Sequence, residues 1–424
     1  MKKPLVSLLF AAILSQQTTA QTHAWDLREC CTYAVEHNIN IKQRENSREQ
    51  REIQLSTAKN SRLPDLNGSA SESFSFGRGL TLDNTYANRS TSSTSFSLGT
   101  SVPLFTGFQI PNTIKLNQLN LEAATHDLEK AKNDIRMQVA QEYVQILYNM
   151  EMADVAHRQI DIDSNQVVRL QAFVDNGKAS QAQLSQQLAT LAKAKLTATQ
   201  ADNTLQLSLL SLSQLLELPS PEGFTIVRPN VATVPVGFPT GLSPDAIYQE
   251  ALAMKPEVQA EQLRLTASER QIDIARAGLY PTLSLNAGLQ SNYYKTNGMP
   301  ADPFGTQLKN NFSQYIGFSL NVPIFNRFQT RNNIRSAKLD RENQVLQLDN
   351  VKKSLYKEIQ QAYYNAIAAR SKYTSSETAS QSSKDAFVLT QAKYENGKAT
   401  ITEFNEPKNN YLNAESDLVQ ALYE

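Results

Sequence analysis

Two cysteines, four histidines and one tryptophan are few for a chain of 424 residues. The cysteines, Cys30 and Cys31, are adjacent. Neighbouring cysteines rarely reach disulfide geometry with each other. No small apolar residues precede them to make a lipid-attachment site, so they read as small helix residues at or near a packed face. His23, His37, His126 and His157 are scattered without ligand spacing. His-Glu-x-x-His, Cys-x-x-Cys and a phosphate loop are all missing, and the closest glycine pair is Gly77-Arg78-Gly79. These absences argue against a metal centre, a bound cofactor and an enzyme. Charge of neither sign is in excess, with 41 basic and 41 acidic residues. Nucleic-acid binders usually carry a basic excess, so nucleic acid is not an expected partner. Mean hydropathy is −0.43, and the longest strongly apolar run, Leu5 to Leu14, has ten residues. A membrane-spanning helix needs about 20, which excludes a polytopic helical membrane protein.

That short run has another reading. Lys2 and Lys3 precede it and Thr18-Thr19-Ala20-Gln21 follow it. A positive start, an apolar middle and a small-residue exit make a secretory signal peptide over residues 1–20, with cleavage expected after Ala20 or Gln21. The competing reading is a buried N-terminal helix.

What the chain has in abundance is itself. Val102-Pro103-Leu104-Phe105-Thr106-Gly107-Phe108-Gln109 returns as Val322-Pro323-Ile324-Phe325-Asn326-Arg327-Phe328-Gln329, 220 positions later. Asn176-Gly177-Lys178-Ala179 returns as Asn396-Gly397-Lys398-Ala399 at the same spacing. Such a duplication sets the architecture. The first repeat covers 22–217, a Pro/Gly-rich linker covers 218–243, and the second repeat covers 244–424.

Each repeat carries a strand hairpin, about 65–105 and about 282–325. Phe96, Leu98, Thr100, Val102 and Leu104 alternate with Ser95, Ser97, Gly99 and Ser101. Ile316, Phe318, Leu320, Val322 and Ile324 alternate with Tyr315, Gly317, Ser319 and Asn321. A period of two with one apolar and one polar face marks strands. About ten residues is the length of a tilted transmembrane strand. Loops rich in Gly, Asn, Thr and Tyr are expected near 77–90 and 292–311. Aromatics gather at both strand ends, including Phe74, Phe76, Tyr293, Tyr294, Phe105, Phe108, Phe325 and Phe328, as in the aromatic girdles of membrane barrels. A β-sandwich core is the alternative for this pattern.

After each hairpin comes a long helical hairpin, over 107–217 and 327–424. Between Phe108 and Asn176 there is no glycine, and Pro111 falls in the first turn, where proline is tolerated. Between Phe328 and Asn396 there is neither glycine nor proline. A helix of about 68 residues would be roughly 100 Å long, far more than a compact soluble domain needs. Asn-Gly is a strong turn pair, because glycine accepts positive φ. The hairpin tips are therefore Asn176, Gly177, Lys178 and Ala179, and Asn396, Gly397, Lys398 and Ala399. Pro407 should bend or interrupt the second return helix. Residues 26–61 and 244–278 read as one helix each. Pro64, Pro103, Pro281 and Pro323 read as helix–strand junctions, and the linker as an extended, irregular strap.

Four membrane strands cannot stand alone. An open sheet leaves two edges of unpaired backbone groups, each costing several kcal/mol in hydrocarbon. Copies of the chain must complete the wall, and three give a 12-stranded barrel under cyclic symmetry. Two would give eight strands, whose interior is largely filled by side chains.

The duplicated order helix–strand–strand–long helix–turn–helix, Pro64 and Pro281, Val-Pro-Leu/Ile-Phe and the tip segments resemble the TolC family of outer-membrane efflux proteins. The resemblance implies an α+β membrane protein. Its trimeric α-helical tunnel would stand in the periplasm of a Gram-negative bacterium, joined to a shared 12-stranded outer-membrane β-barrel with four strands from each chain. It also implies a homotrimer that meets outer-membrane lipid, a periplasmic adaptor protein at the tips, and an inner-membrane pump of RND, ABC or MFS type. The channel would be the passive exit of a tripartite efflux or type I secretion system. By resemblance, Tyr394, Glu403 and Glu406 lie at the tunnel entrance, with Gln183 and Gln186 at the matching places of the first repeat. Where the family can carry an arginine two residues past the tip glycine, this chain has Ala399. The alternative reading is a periplasmic coiled-coil adaptor or scaffold without a pore.

Overall fold

The computed structural model describes residues 24–80, 83–229 and 243–424. The expected signal peptide over 1–20 lies outside the described residues, as does the linker from 230 to 242. The chain divides into two units. One takes the described residues up to Gln43, Lys130–Gln249 and Tyr356–Glu424, and is helical apart from two short strands. The other takes Arg44–Glu129 and Glu250–Leu355 and carries the sheet. Among the described residues no helix is long and apolar enough to cross a membrane, a statement that says nothing of a barrel.

In the first repeat the order is β1 (Ala24–Trp25), α1 (Leu27–His37), α2 (Ile39–Asn60), β2 (Asn67–Leu80), β3 (Tyr86–Thr106), α3 (Gln109–Asp175), α4 (Gln181–Leu215) and β4 (Thr225–Ile226). In the second it is α5 (Pro244–Met254), α6 (Pro256–Ala277), β5 (Thr282–Thr296), α7 (Phe304–Asn310), β6 (Ser313–Asn321), α8 (Gln329–Glu395) and α9 (Ile401–Tyr423). The long helices α3 and α8 have 67 residues each.

The leading helix of each repeat is broken in two rather than continuous. The breaks fall at Asn38 and Lys255, 217 positions apart, with φ/ψ of −61°/131° and −73°/122°. Lys255 precedes Pro256, whose ring disfavours the helical region for the residue before it. Asn38 has no such neighbour. Its side chain substitutes for the lost helix, as Nδ2 donates to the Leu215 carbonyl at 3.1 Å and Oδ1 accepts from Asn40 N–H at 2.9 Å. The linker is not wholly irregular either. β4 pairs in parallel with β1, Ala24 against Thr225 and Trp25 against Ile226. The buried Tyr143 hydroxyl of α3 donates to the Val227 carbonyl at 2.6 Å, and burial pushes its pKa up to about 12.

In the sheet unit the strand order is β2-β3-β5-β6, every pair antiparallel. Three expectations are corrected here. β2 and β3 reach Leu80 and start at Tyr86, so most of the expected loop near 77–90 is ladder. Part of the 292–311 loop is likewise strand, to Thr296, and part is the helix α7. Pro103 is not a helix–strand junction. It lies inside β3, at a register shift between Pro103 and Phe105. Proline lacks the N–H a ladder needs, so within sheets it is found at bulges. Pro64, Pro281 and Pro323 do lie between elements. Pro407 lies inside α9, which continues past it to Tyr423 although the proline supplies no N–H, so the helix is not interrupted there.

Candidate functional site: helical tips and a two-faced sheet

The two faces of the sheet follow from its register. One face carries Val102, Leu98 and Phe96 of β3, Leu283, Leu285 and Leu289 of β5, and Ile316, Phe318 and Leu320 of β6. Ile316, Phe318 and Leu320 are each at least 65% exposed within the chain. So much apolar side-chain area facing outward marks contact with lipid or another protein. The other face carries serine, asparagine and glycine. Ser69 and Ser71 of β2 hydrogen-bond Ser97 and Ser95 of β3, each at 2.7 Å. Among the described residues both edges, β2 and β6, are unpaired.

The tips are built twice from the same rules. Lys178 N–H donates to the Phe173 carbonyl at 2.7 Å and Gly177 N–H to Val174 at 2.9 Å. Lys398 and Gly397 repeat this with Lys393 and Tyr394 at 2.8 and 3.0 Å. Paired 6→1 and 5→2 bonds around a left-handed glycine form a Schellman cap, and Gly177 and Gly397 have φ of 68° and 71°. Each return helix then opens on a capping box. The side chains of Ser180 and Thr400 accept from the N–H groups of Gln183 and Glu403, whose own side chains accept from the Ser180 and Thr400 N–H groups. The signal S/T-x-x-E/Q is visible in the sequence, yet the resemblance drew Gln183 and Glu403 toward an entrance role. In this structure both side chains are engaged in capping.

Tyr394 is likewise not on an open wall. It is 6% exposed and packs with Phe387 and Phe404, with Ala399, Ile401 and Tyr411 around them. Its ring lies 4.9 Å from that of Phe404. Its hydroxyl accepts from Gln166 Nε2 at 2.6 Å, and Arg169 stands over its ring at 5.9 Å while pairing with Glu395 at 3.3 Å. The first repeat has Val167, Val174, Leu184 and Leu191 where the second has Phe387, Tyr394, Phe404 and Tyr411. Glu406 and Gln186 are exposed, as are Asn176, Gly177, Lys178, Asn396, Gly397 and Lys398. Ala179 and Ala399 are half-buried.

Sequence reasoning missed one group altogether. Lys408 and Asp163 are 1% and 0% exposed on their side chains, with Lys408 Nζ 2.6 Å from Asp163 Oδ1. Gln187 Nε2 donates to the same oxygen at 3.1 Å, and Asp163 Oδ2 is buried without a partner. The matching positions of the opposite pairing are Ser383 and Leu188, so the internal symmetry is broken here.

The duplicated tips make a pH contrast. Capping hydrogen bonds from Thr400 hold the Glu403 carboxyl below its ordinary range. A depressed carboxyl contributes stability at neutral pH that is lost as pH falls through its folded pKa. Gln183 makes the same box without a charge. Protection of the first-turn amides of α9, taken against the intrinsic exchange rate at each pH, should therefore fall on acidification while that of α4 does not. Thr400→Ala should cost about 1 kcal/mol and remove the pH contrast. Equal acid response of both turns would refute this.

A four-stranded sheet with one apolar face and open edges, continued by long helical hairpins, defines a class of membrane-barrel proteins with helical extensions. The chain belongs to the outer membrane efflux protein family, whose pattern matches residues 32–217 and 247–424. It is similar to the fusaric acid resistance protein FusA of Burkholderia cepacia, 27% identical over 236 residues, which is 54% of this chain and 43% of FusA. It is also similar to the cation efflux system protein CusC of Escherichia coli K12, 24% identical over 339 residues, 74% of this chain and 66% of CusC. The chain thus spans less than half of FusA's length. In fold it resembles a crystal structure of CusC, with a TM-score of 0.79 at 17% identity, covering 97% of this chain and 92% of the other. The CmeC outer membrane channel of Campylobacter jejuni gives 0.77 at 20% identity, covering 94% and 82%.

Proposed function

We propose that three copies of this chain form the outer-membrane exit duct of a tripartite efflux or secretion system. The observation that carries this reading is the antiparallel four-stranded sheet, apolar on one face and, among the described residues, unpaired at both edges. Lipid does not tolerate open edges, and the strand directions allow β6 of one copy to pair antiparallel with β2 of the next. Three copies close a 12-stranded wall whose serine- and asparagine-rich face lines a wet lumen. The helical hairpins extend this wall on the periplasmic side, and the exposed tips around Lys178 and Lys398 meet a periplasmic adaptor coupled to an inner-membrane pump. The chain performs no catalytic step, and the pump supplies the energy. FusA and CusC are named for fusaric acid and for cations, so membership of the family leaves the cargo open.

Purified protein in planar bilayers should give uniform conductance steps from a particle of three chains. A stable monomer without conductance would sink the proposal. Crosslinkers placed at Lys178 and Lys398 in cells should capture one adaptor at both tips. Of the two entrance acids, Glu406 is the one free of capping, so Glu406→Gln should lower cation preference while Glu403→Gln should chiefly affect the start of α9. Unchanged selectivity in Glu406→Gln channels would exclude an electrostatic entrance ring.

A further inference from the structure

On the apolar face the edge strand β2 carries one polar side chain between Gly68 and Phe76, Glu72, and the edge strand β6 carries one, Gln314, in addition to the serines and threonines of β3. β2 presents Ala70, Glu72, Phe74 and Phe76 there, and β6 presents Gln314, Ile316, Phe318 and Leu320. Glu72 is near the middle of β2, between Ala70 and Phe74 along its strand and level with Thr94 of β3. Its carboxylate accepts from Ser92 Oγ at 2.6 Å and from Thr94 Oγ1, one donor on each oxygen. A carboxylate offers about four acceptor sites, so about two stay open. Gln314 is exposed, and no hydrogen bond within the described residues engages its amide. A half-satisfied carboxylate and an unpartnered amide turned toward hydrocarbon are costly.

The barrel reading, on which this inference rests, brings the two edges together. Glu72 is level with Thr94, and Thr94 with Tyr293. Continuing the β5–β6 register upward sets Tyr293 level with position 310, above the first residue of β6, Ser313. Ring closure shifts this level along the strand by the shear contributed by each chain. A strand tilt of about 35–45°, with strands about 4.8 Å apart and a rise of about 3.4 Å per residue, gives a 12-stranded barrel a shear of roughly 12–17 residues. Three-fold symmetry and the alternation of faces permit only multiples of six, hence about four or about six residues per chain. The shift runs toward the body of β6, because the strand has nothing above Ser313 to pair. A shift of four sets Glu72 opposite Gln314 of the next copy. A shift of six sets it opposite Ile316, with Gln314 as its diagonal neighbour, still within reach of long side chains.

We infer that Glu72 of one copy and Gln314 of a second copy form a polar clasp across each subunit seam, and that this clasp confines the register of the seam to these two shifts. A slip of one residue would turn apolar side chains into the lumen and is excluded by the alternation of faces. A slip of two keeps every face correct, and apolar neighbours hardly distinguish it. The polar pair does distinguish a slip beyond these two shifts, because at a shift of eight Glu72 would face Phe318 and Gln314 would lie four positions away, out of reach. A single buried asparagine selects register in coiled coils by the same logic.

The test uses the full chain with Cys30→Ala/Cys31→Ala and paired cysteines that leave Glu72 and Gln314 in place. Particle mass is measured first, and a monomer would remove the barrel reading and the clasp together. In intact trimers, oxidation should join Ala70→Cys to Ile316→Cys or Phe318→Cys of the neighbour. Crosslinking of Ala70→Cys chiefly to Leu320→Cys, or to none of the three, would overturn the clasp while sparing the trimer. Gln314→Leu should lower the trimer's melting temperature, and adding Glu72→Leu should restore it while broadening the crosslink pattern over several registers. If the double variant keeps one register, the clasp does not set it.

Discussion

Lys408→Met is expected to cost about 3–5 kcal/mol in the helical unit, because it leaves Asp163 as a buried carboxylate without its counter-ion. Asp163 is fully buried and has one oxygen already unpartnered. Gln187 alone would then donate to it. The pair is not thereby a large net source of stability, since desolvating both ions offsets most of their attraction. That asymmetry makes the prediction specific. Lys408→Met and Asp163→Leu alone should each accelerate hydrogen exchange in α9 and in the facing turns of α3. The double variant Asp163→Leu/Lys408→Met should recover most of the loss. Single variants that exchange like the parent, or a double variant worse than either single, would show that the ion pair does not hold α9 in place.

Why was this pair invisible in the sequence when the helices around it were not? The extent of α3 and α8 is legible because a glycine-free run between a strand motif and Asn-Gly permits little else. The sheet faces are legible because a period of two survives any error in strand ends. The strand ends themselves were not. Gly77, Gly79, Asn88 and Tyr86 have the composition of a loop, yet β2 and β3 pair across them, since ladder hydrogen bonds outweigh weak local preference. Asn38 breaks a helix through a side-chain contact 177 positions away, which no local signal announces. Lys408 in a polar stretch reads as a solvated charge, and only its distant partner Asp163 makes it buried. At the tips the capping signal of Thr400 and Glu403 is legible in the sequence, and the structure forms that box.

The duplication also supplies a control for the strand-to-helix corner. Both corners put two successive residues in the left-handed region, Gly107 and Phe108 at φ 62° and 66°, Arg327 and Phe328 at 54° and 60°. The same conformation is thus carried by glycine in one copy and by arginine in the other, and packing explains the difference. A Cβ on Gly107 would lie 2.6 Å from the Ala277 carbonyl oxygen and 2.9 Å from Tyr280 Cβ, whereas Arg327 is exposed. Gly107→Ala should therefore combine a backbone cost of about 1–3 kcal/mol with an overlap cost of about 1–3 kcal/mol. It should sharply reduce the amount of folded protein recovered. Arg327→Gly should be nearly neutral, because relief of strain is offset by the greater freedom of glycine in the unfolded chain. Gly177→Ala isolates the backbone cost, as φ there is 68° but nothing lies within 4 Å of the added carbon. Recovery and melting temperature should thus rank Arg327→Gly above Gly177→Ala, and Gly177→Ala well above Gly107→Ala. If Gly107→Ala matched Gly177→Ala, the close approach of the Ala277 carbonyl would not be what reserves position 107 for glycine.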